Sequence, residues 1–168
     1  MSAPVFLVVP VLQVLALDPG VPTAPQESDD GTLEVEVLAP SSLAQVRAAL
    51  QDPIARNRLF PSVHDVKVLR QDGACTDLQM TTTGVTSDFV YTMRSCQTAQ
   101  GWKDTLIKSD DMDVMDATWQ LTPTSSGVEV HYRLKVDLNL PIPHAMIAGR
   151  QGKDMVNALA HLIHRLGF

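Results

Sequence analysis

The chain has little positive charge and nowhere concentrates it. Its 13 Lys and Arg are outnumbered by 19 Asp and Glu, leaving a formal net charge of −6. Affinity for nucleic acid rests largely on basic side chains that neutralise phosphates. With no basic run and no interleaved aromatic stripe, the sequence is not expected to bind nucleic acid. A long hydrophobic run is missing too. The apolar stretch Ala3–Leu17 is broken by proline and Gln13 and falls short of the about 20 residues that a membrane-crossing helix needs. There is no Gly-x-Ser-x-Gly elbow, no phosphate-cradling glycine loop and no Cys-x-x-Cys pair, which removes the common routes to serine-hydrolase, nucleotide and zinc chemistry. No cofactor and no metal site are expected. Internal repeats are absent, and the length of 168 residues suits one domain with a real core.

What is present begins with that apolar N-terminus. No charged side chain precedes Asp18, and Val14-Leu15-Ala16 supplies small or aliphatic residues around a signal-peptidase cut after Ala16. Residues 1–16 are therefore read as a signal peptide, although the usual Lys or Arg ahead of the apolar run is missing. Residues 17–31 follow as an acidic linker, since Asp18–Gly31 holds three Pro, two Gly and four acidic side chains; that composition reads as a disordered spacer. The folded domain is expected over 32–168.

The only two cysteines fit export to a periplasmic or extracellular space. Cys75 and Cys96 lie on two strands joined by a turn around Gly84–Thr86. Pairing residues whose numbers sum to 171 sets Cys75 against Cys96, Asp77 against Arg94, Leu78 against Met93, Met80 against Tyr91 and Thr82 against Phe89. One register thus satisfies a cysteine pair, a charge pair and several apolar pairs together. The spacing suits a disulfide in an oxidising compartment; two reduced cysteines that merely face one another are the alternative.

Along the chain, Leu33, Val35 and Val37 alternate with Thr32, Glu34 and Glu36, a half-buried strand. Ser42 and Gln45 have capping-box spacing for a short helix, and Asp52-Pro53 starts a second. Period-two patterning then persists: Val66 and Val68 before the Asp72-Gly73 turn, the cysteine hairpin, Gly101–Ser109, residues 113–122, and Val128 to Leu138. In the last pair, a sum of 251 sets Trp119 against Tyr132 and Ala117 against Leu134. A final helix runs from Pro143 toward Gly167, roughly 35 Å long at 1.5 Å per residue.

On that helix, Ala145, Ala148, Gly152, Met155, Leu159, Leu162 and Leu166 recur at steps of three and four. The stripe is bulky at its C-terminal end and nearly bare at its N-terminal end. Either the bare end roofs a hollow, or its small residues let the helix approach the sheet closely. The strand faces expected to point inward carry Val66, Val68, Leu78, Met80, Phe89, Tyr91, Met93, Leu106, Met115, Trp119, Tyr132 and Leu134, joined by Met146 and Met155 from the helix. Methionine suits an adaptable apolar pocket. Buried Tyr91 and Tyr132 hydroxyls would orient a polar group. His64 shares the parity of Val66 and is expected near the cavity mouth. His131 falls on a polar strand face, and His161 with His164 reads as a solvated helix face rather than a metal clamp. The run Asp110, Asp111 and Asp113 reads as a solvated loop.

The order of one strand, two helices, six strands and a long helix resembles the START-like, or SRPBCC, superfamily, whose helix-grip fold is shared with the birch pollen allergen. Leu38–Ser42 leading into a helix, Phe60-Pro61-Ser62-Val63 before the sheet, Val66–Leu69 running into Asp72-Gly73, and Trp119–Pro123 followed by Gly127–Val130 carry the likeness. It looks most like the bacterial polyketide cyclase/dehydrase and lipid-transport group, which includes coenzyme Q-binding and ribosome-association-toxin-like proteins. A signal segment and a cysteine pair are unusual for the cytosolic or mitochondrial branches. The resemblance implies an α+β helix-grip fold: a curved seven-stranded antiparallel sheet, two short helices, and a long C-terminal helix over the concave face. It further implies an apolar molecule held between sheet and helix, which makes Met80, Phe89, Tyr91, Met93, Met115, Trp119, Tyr132, Leu134, Ala148, Gly152 and Met155 the expected ligand contacts. The leading reading is a non-catalytic carrier of a lipid-like or isoprenoid molecule, with room for transient membrane contact. The alternatives are a cyclase- or aromatase-like enzyme using Tyr91, Tyr132 and His64 for proton transfer, and a protein-interaction module with a filled core.

Overall fold

A computed structural model describes residues 16–168; apart from Ala16, the expected signal segment lies outside the described residues. The chain forms β1 (Gln26–Glu27), β2 (Leu33–Ala39), α1 (Leu43–Gln51), α2 (Pro53–Asn57), β3 (Val63–Asp72), β4 (Cys75–Thr83), β5 (Asp88–Thr98), β6 (Gly101–Ser109), β7 (Met112–Thr124), β8 (Gly127–Leu138) and α3 (His144–Arg165). All strands join one antiparallel sheet in the order β1-β2-β8-β7-β6-β5-β4-β3. This is the expected α+β helix-grip architecture, with eight strands among the described residues instead of seven.

The extra strand comes from the stretch expected to be a spacer. Residues 17–31 lie along the outer side of β2. The Gly20 amide donates to the Leu38 carbonyl and the Thr23 amide to the Glu36 carbonyl, both at 2.8 Å. The Glu36 amide donates to the Thr23 hydroxyl at 3.0 Å, and Gln26–Glu27 pairs with Leu33–Glu34. Without this segment β2 would be an edge strand with unpaired backbone groups, and covering those groups outweighs a composition that favours disorder.

Local signals place the helices. Ser42 accepts from the Gln45 amide at 3.2 Å while the Gln45 side chain accepts from the Ser42 amide at 3.0 Å, a reciprocal cap for α1. Asp52 caps α2 through the Ile54 amide at 2.9 Å, and Pro53 opens it. The two helices carry the chain from β2, next to one edge, to β3 at the other. The long helix α3 stops where Gly167 takes φ 95°, a left-handed position that closes helices.

Both expected registers are present. Cys75 stands opposite Cys96 and Asp77 opposite Arg94, and Trp119 stands opposite Tyr132. The cysteines form a disulfide, and Arg94 donates to the Asp77 carboxylate from Nε and Nη2 at 2.8 and 3.0 Å. Bulges interrupt β3–β4, β5–β6 and β7–β8, and such bulges bend strands. One sheet face, with Val35, Val37, Leu78, Trp119 and Val130 fully or nearly fully buried, packs under Met155, Ala158, Leu159 and Leu162 of α3. No helix among the described residues is long and apolar enough to cross a membrane.

Candidate functional site

The C-terminal half of α3 is packed against the sheet, but its N-terminal half roofs a cavity of about 510 Å³. That volume falls within the roughly 300–1,000 Å³ of small-molecule sites. Several polar ties hold the roof. Asp154 accepts from the Ser62 amide and hydroxyl at 3.0 and 2.5 Å. Further along, His161 Nδ1 lies 2.8 Å from the Leu59 carbonyl. On the opposite side Arg150 Nη1 donates to the Gly84 carbonyl in the β4–β5 turn at 2.9 Å. Exposed Val85, Arg150 and Lys153 line the cavity, so its mouth lies between that turn and α3.

Of the expected contacts, Met80, Phe89, Tyr91, Met93, Met115, Tyr132, Leu134 and Met155 line the cavity. Five of the seven methionines do so once Met112 is included. Trp119, Ala148 and Gly152 do not. Trp119 sits behind the wall, 4.6 Å from Tyr132 and 5.9 Å from Phe60 between ring centroids, and supports those two lining rings. Gly152 is buried against the N-terminal segment: a Cβ there would lie 2.8 Å from Pro25 Cγ. The small-residue stripe therefore admits a neighbouring segment closely, and Ala145 at its start is exposed. The face over the cavity is instead the one bearing Ile147, Gln151, Asp154 and Met155.

Three further expectations change. A register shift between Val63 and Asp65 lets Val63, not His64, line the cavity. The His64 side chain is 52% exposed beside Asp88, with Thr83 as a hydrogen-bond partner, and does not itself line the cavity. Val68 is 48% exposed on the edge strand, and Met146 is 49% exposed. On the outer sheet face His131 pairs with Glu34 at 3.3 Å, and His164 is exposed. Among the described residues no group of three or more His, Cys, Asp or Glu is placed to hold a metal ion.

One wall residue escaped the sequence reading. Asp104 on β6 is only 3% exposed and lines the cavity, opposite Ser95 of β5 and Ala117 of β7. Behind it Arg56, 1% exposed, donates to the Leu50 carbonyl at 2.6 Å and to Ser95 Oγ at 2.7 Å. Its guanidinium stacks 4.7 Å from the Trp102 ring centroid. Burial raises the Asp104 carboxyl above its ordinary range, against the opposing pull of the Arg56 charge and a Ser95 hydrogen bond. Burial lowers Arg56, and the Asp104 charge offsets part of that. The signal was legible: Asp104 shares strand parity with Trp102 and Leu106, so a carboxylate stood on an apolar face.

Tyr91 and Tyr132 are near enough that the Asp104 charge adds to the effect of burial, and both phenols are raised above their ordinary value of 10.0. Near neutral pH they are hydrogen-bonding hydroxyls and not phenolate bases. The site is thus an apolar, methionine-rich hollow with a narrow polar group in its wall.

No family model matches the chain, and no curated protein matches it in sequence. Solved structures do match in fold. A START superfamily protein from Mycobacterium smegmatis aligns with TM-score 0.68 at 15% identity, over 80% of this chain and 98% of that one. The STAR-related lipid transfer protein from Xanthomonas axonopodis gives TM-score 0.62 at 16% identity, over 84% and 90%. The Zhui aromatase/cyclase from Streptomyces sp. R1128 gives 0.61 at 15%, over 81% and 91%. The chain has the START-like, helix-grip fold.

Proposed function

We propose that the protein binds and carries a hydrophobic small molecule, lipid-like or isoprenoid, in the hollow beneath α3. The observation that supports this reading is the hollow itself, about 510 Å³ and walled by five methionines with Phe60, Phe89 and Leu134. Each 100 Å² of apolar ligand surface taken from water there contributes about 2.5 kcal/mol before the costs of immobilisation. The STAR-related lipid transfer protein of the same fold is in keeping with it. A filled-core interaction module does not fit a cavity of this size.

A cyclase-like activity is the second reading, favoured by the fold of the Zhui aromatase/cyclase. Of its expected proton-transfer groups, Tyr91 and Tyr132 line the cavity and His64 does not. We further propose export to an oxidising compartment, supported by the Cys75–Cys96 disulfide.

Organic extraction and mass spectrometry of the purified protein test the carrier reading. A stoichiometric copurified apolar molecule is the expected result. A protein that carries none, and takes up no added isoprenoid or fatty alcohol, overturns it. Turnover of a polyketide-like substrate, lost in Tyr91→Phe, would favour the enzyme.

A further inference from the structure

We propose that Tyr91 and Tyr132 form a paired hydrogen-bond donor site, so that the ligand carries a neutral oxygen acceptor, best a carbonyl, at its buried end. The inference rests on the carrier reading and names the ligand class for it.

Both tyrosines stand in the interior of the sheet. Tyr91 is on β5, between β4 and β6, and Tyr132 is on β8, between β2 and β7. Both line the cavity, and with strands on either side the open space they meet is the cavity itself. Neither hydroxyl is hydrogen-bonded to another protein group among the described residues, yet neither is sealed. The sealed side-chain atoms without a partner there are Arg56 Nε, Asp104 Oδ1 and His131 Nε2. Tyr132 is only 5% exposed, and a hydroxyl that deep ordinarily has a partner. Here the side left open to one is the cavity side.

The surroundings fix where the two hydroxyls lie. The Tyr132 ring is held by Trp119 and Phe60 at centroid distances of 4.6 and 5.2 Å. The charges of Asp104 in the wall and Asp154 in the roof act on both phenols, and Tyr91 acts on Tyr132 as well. The hydroxyls therefore share the space between wall and roof.

Chemistry then narrows the class. Burial keeps both phenols protonated near neutral pH, so each has a proton to donate. A carbonyl oxygen has two lone pairs and no proton of its own, and accepts from both without leaving a donor stranded. A carboxylate or phosphate there would meet the like charges of Asp104 and Asp154. The Arg56 charge opposes them only at Tyr132, where it is the smallest influence. A plain hydrocarbon would bury both hydroxyls unanswered, at the cost of their desolvation.

Titration calorimetry on the full chain, stripped of copurified lipid, tests this with geranylacetone, its isostere with a methylene group in place of the ketone oxygen, and geranylamine. We expect the ketone to bind about tenfold more tightly than the isostere or the amine. Tyr91→Phe and Tyr132→Phe, which keep the rings, should each cut that preference to about threefold, and the double variant to within about twofold. With the ketone isotope-labelled at its carbonyl carbon, the infrared carbonyl stretch should lie lower in the wild-type complex than in the double variant, the signature of hydrogen bonds to that oxygen. Equal binding of ketone and isostere by the wild-type protein overturns the donor site and leaves the carrier reading standing. A preference or a carbonyl frequency that the substitutions leave unmoved places the donor elsewhere and overturns it too. Tighter binding of the amine overturns it in favour of a cation site. If none of the three binds, the carrier reading falls and the donor site with it.

Discussion

The ring of Pro25 occupies the place where a side chain on Gly152 would stand: a Cβ there would lie 2.8 Å from Pro25 Cγ and 3.0 Å from its Cβ. The segment before the first long strand is thereby locked onto the side of the final helix. Replacing Gly152 with Val should push the two apart and lower unfolding stability by about 1–3 kcal/mol. Urea denaturation measures the loss. Limited proteolysis should show new cleavage within residues 17–31, and an unchanged cleavage pattern would contradict the contact.

The disulfide predicts a stability effect separable from binding. Cys75 and Cys96 are 21 residues apart, and neither lines the cavity. The double substitution Cys75→Ala/Cys96→Ala should cost about 3 kcal/mol by freeing the unfolded chain. Guanidinium unfolding should reveal this, while affinity for an apolar probe measured well below the midpoint stays within about twofold.

Arg150 reaches across the mouth to the Gly84 carbonyl at 2.9 Å, from an exposed position. Arg150→Ala should change global stability by less than about 1 kcal/mol, as surface polar contacts usually do. Release of a bound fluorescent fatty alcohol should nonetheless accelerate roughly three- to tenfold in stopped-flow exchange, matching the loss of one hydrogen bond. An unaltered release rate would remove the latch from the exit path.

Both tyrosines carry raised phenol pKa values, chiefly from burial. A group whose folded pKa exceeds its unfolded value stabilises fully below the unfolded pKa, and that contribution is lost as pH climbs through the folded one. Stability should therefore be insensitive to Tyr91 and Tyr132 at neutral pH and decline above pH 10. Absorbance titration of tyrosinate should show almost none at pH 10 in the folded protein. Tyr91→Phe and Tyr132→Phe should each flatten the alkaline decline.

Strand pairing was readable in the amino-acid sequence because several unrelated constraints had to be met by one alignment. Cys75 with Cys96, Asp77 with Arg94 and Leu78 with Met93 all coincide at a single register, and a one-residue slip would break every one of them. The helix starts were equally local, set by Ser42, Asp52 and Pro53. What was not readable depends on long-range or irregular geometry. Gln26–Glu27 pairs because β2 needs a neighbour, not because of its own composition. His64 leaves the cavity through a bulge that strict alternation cannot anticipate. The small residues of α3 were consistent with a hollow or with a close approach, and Pro25 selects the second at Gly152. The hollow exists, but under the adjacent stripe from Ile147 to Met155. Asp104 broke an apolar alternation between Trp102 and Leu106, and that polar intrusion was the sign of the buried carboxyl in the wall.

The β4–β5 hairpin behaves mechanically as a cantilever. Its root is clamped covalently at Cys75 and Cys96, while its tip, at Gly84 and Val85, overhangs the entrance and rests on Arg150. The neighbouring strands hold this hairpin only up to Thr82 on one side and from Tyr91 on the other, so bending compliance concentrates in the few residues of the tip.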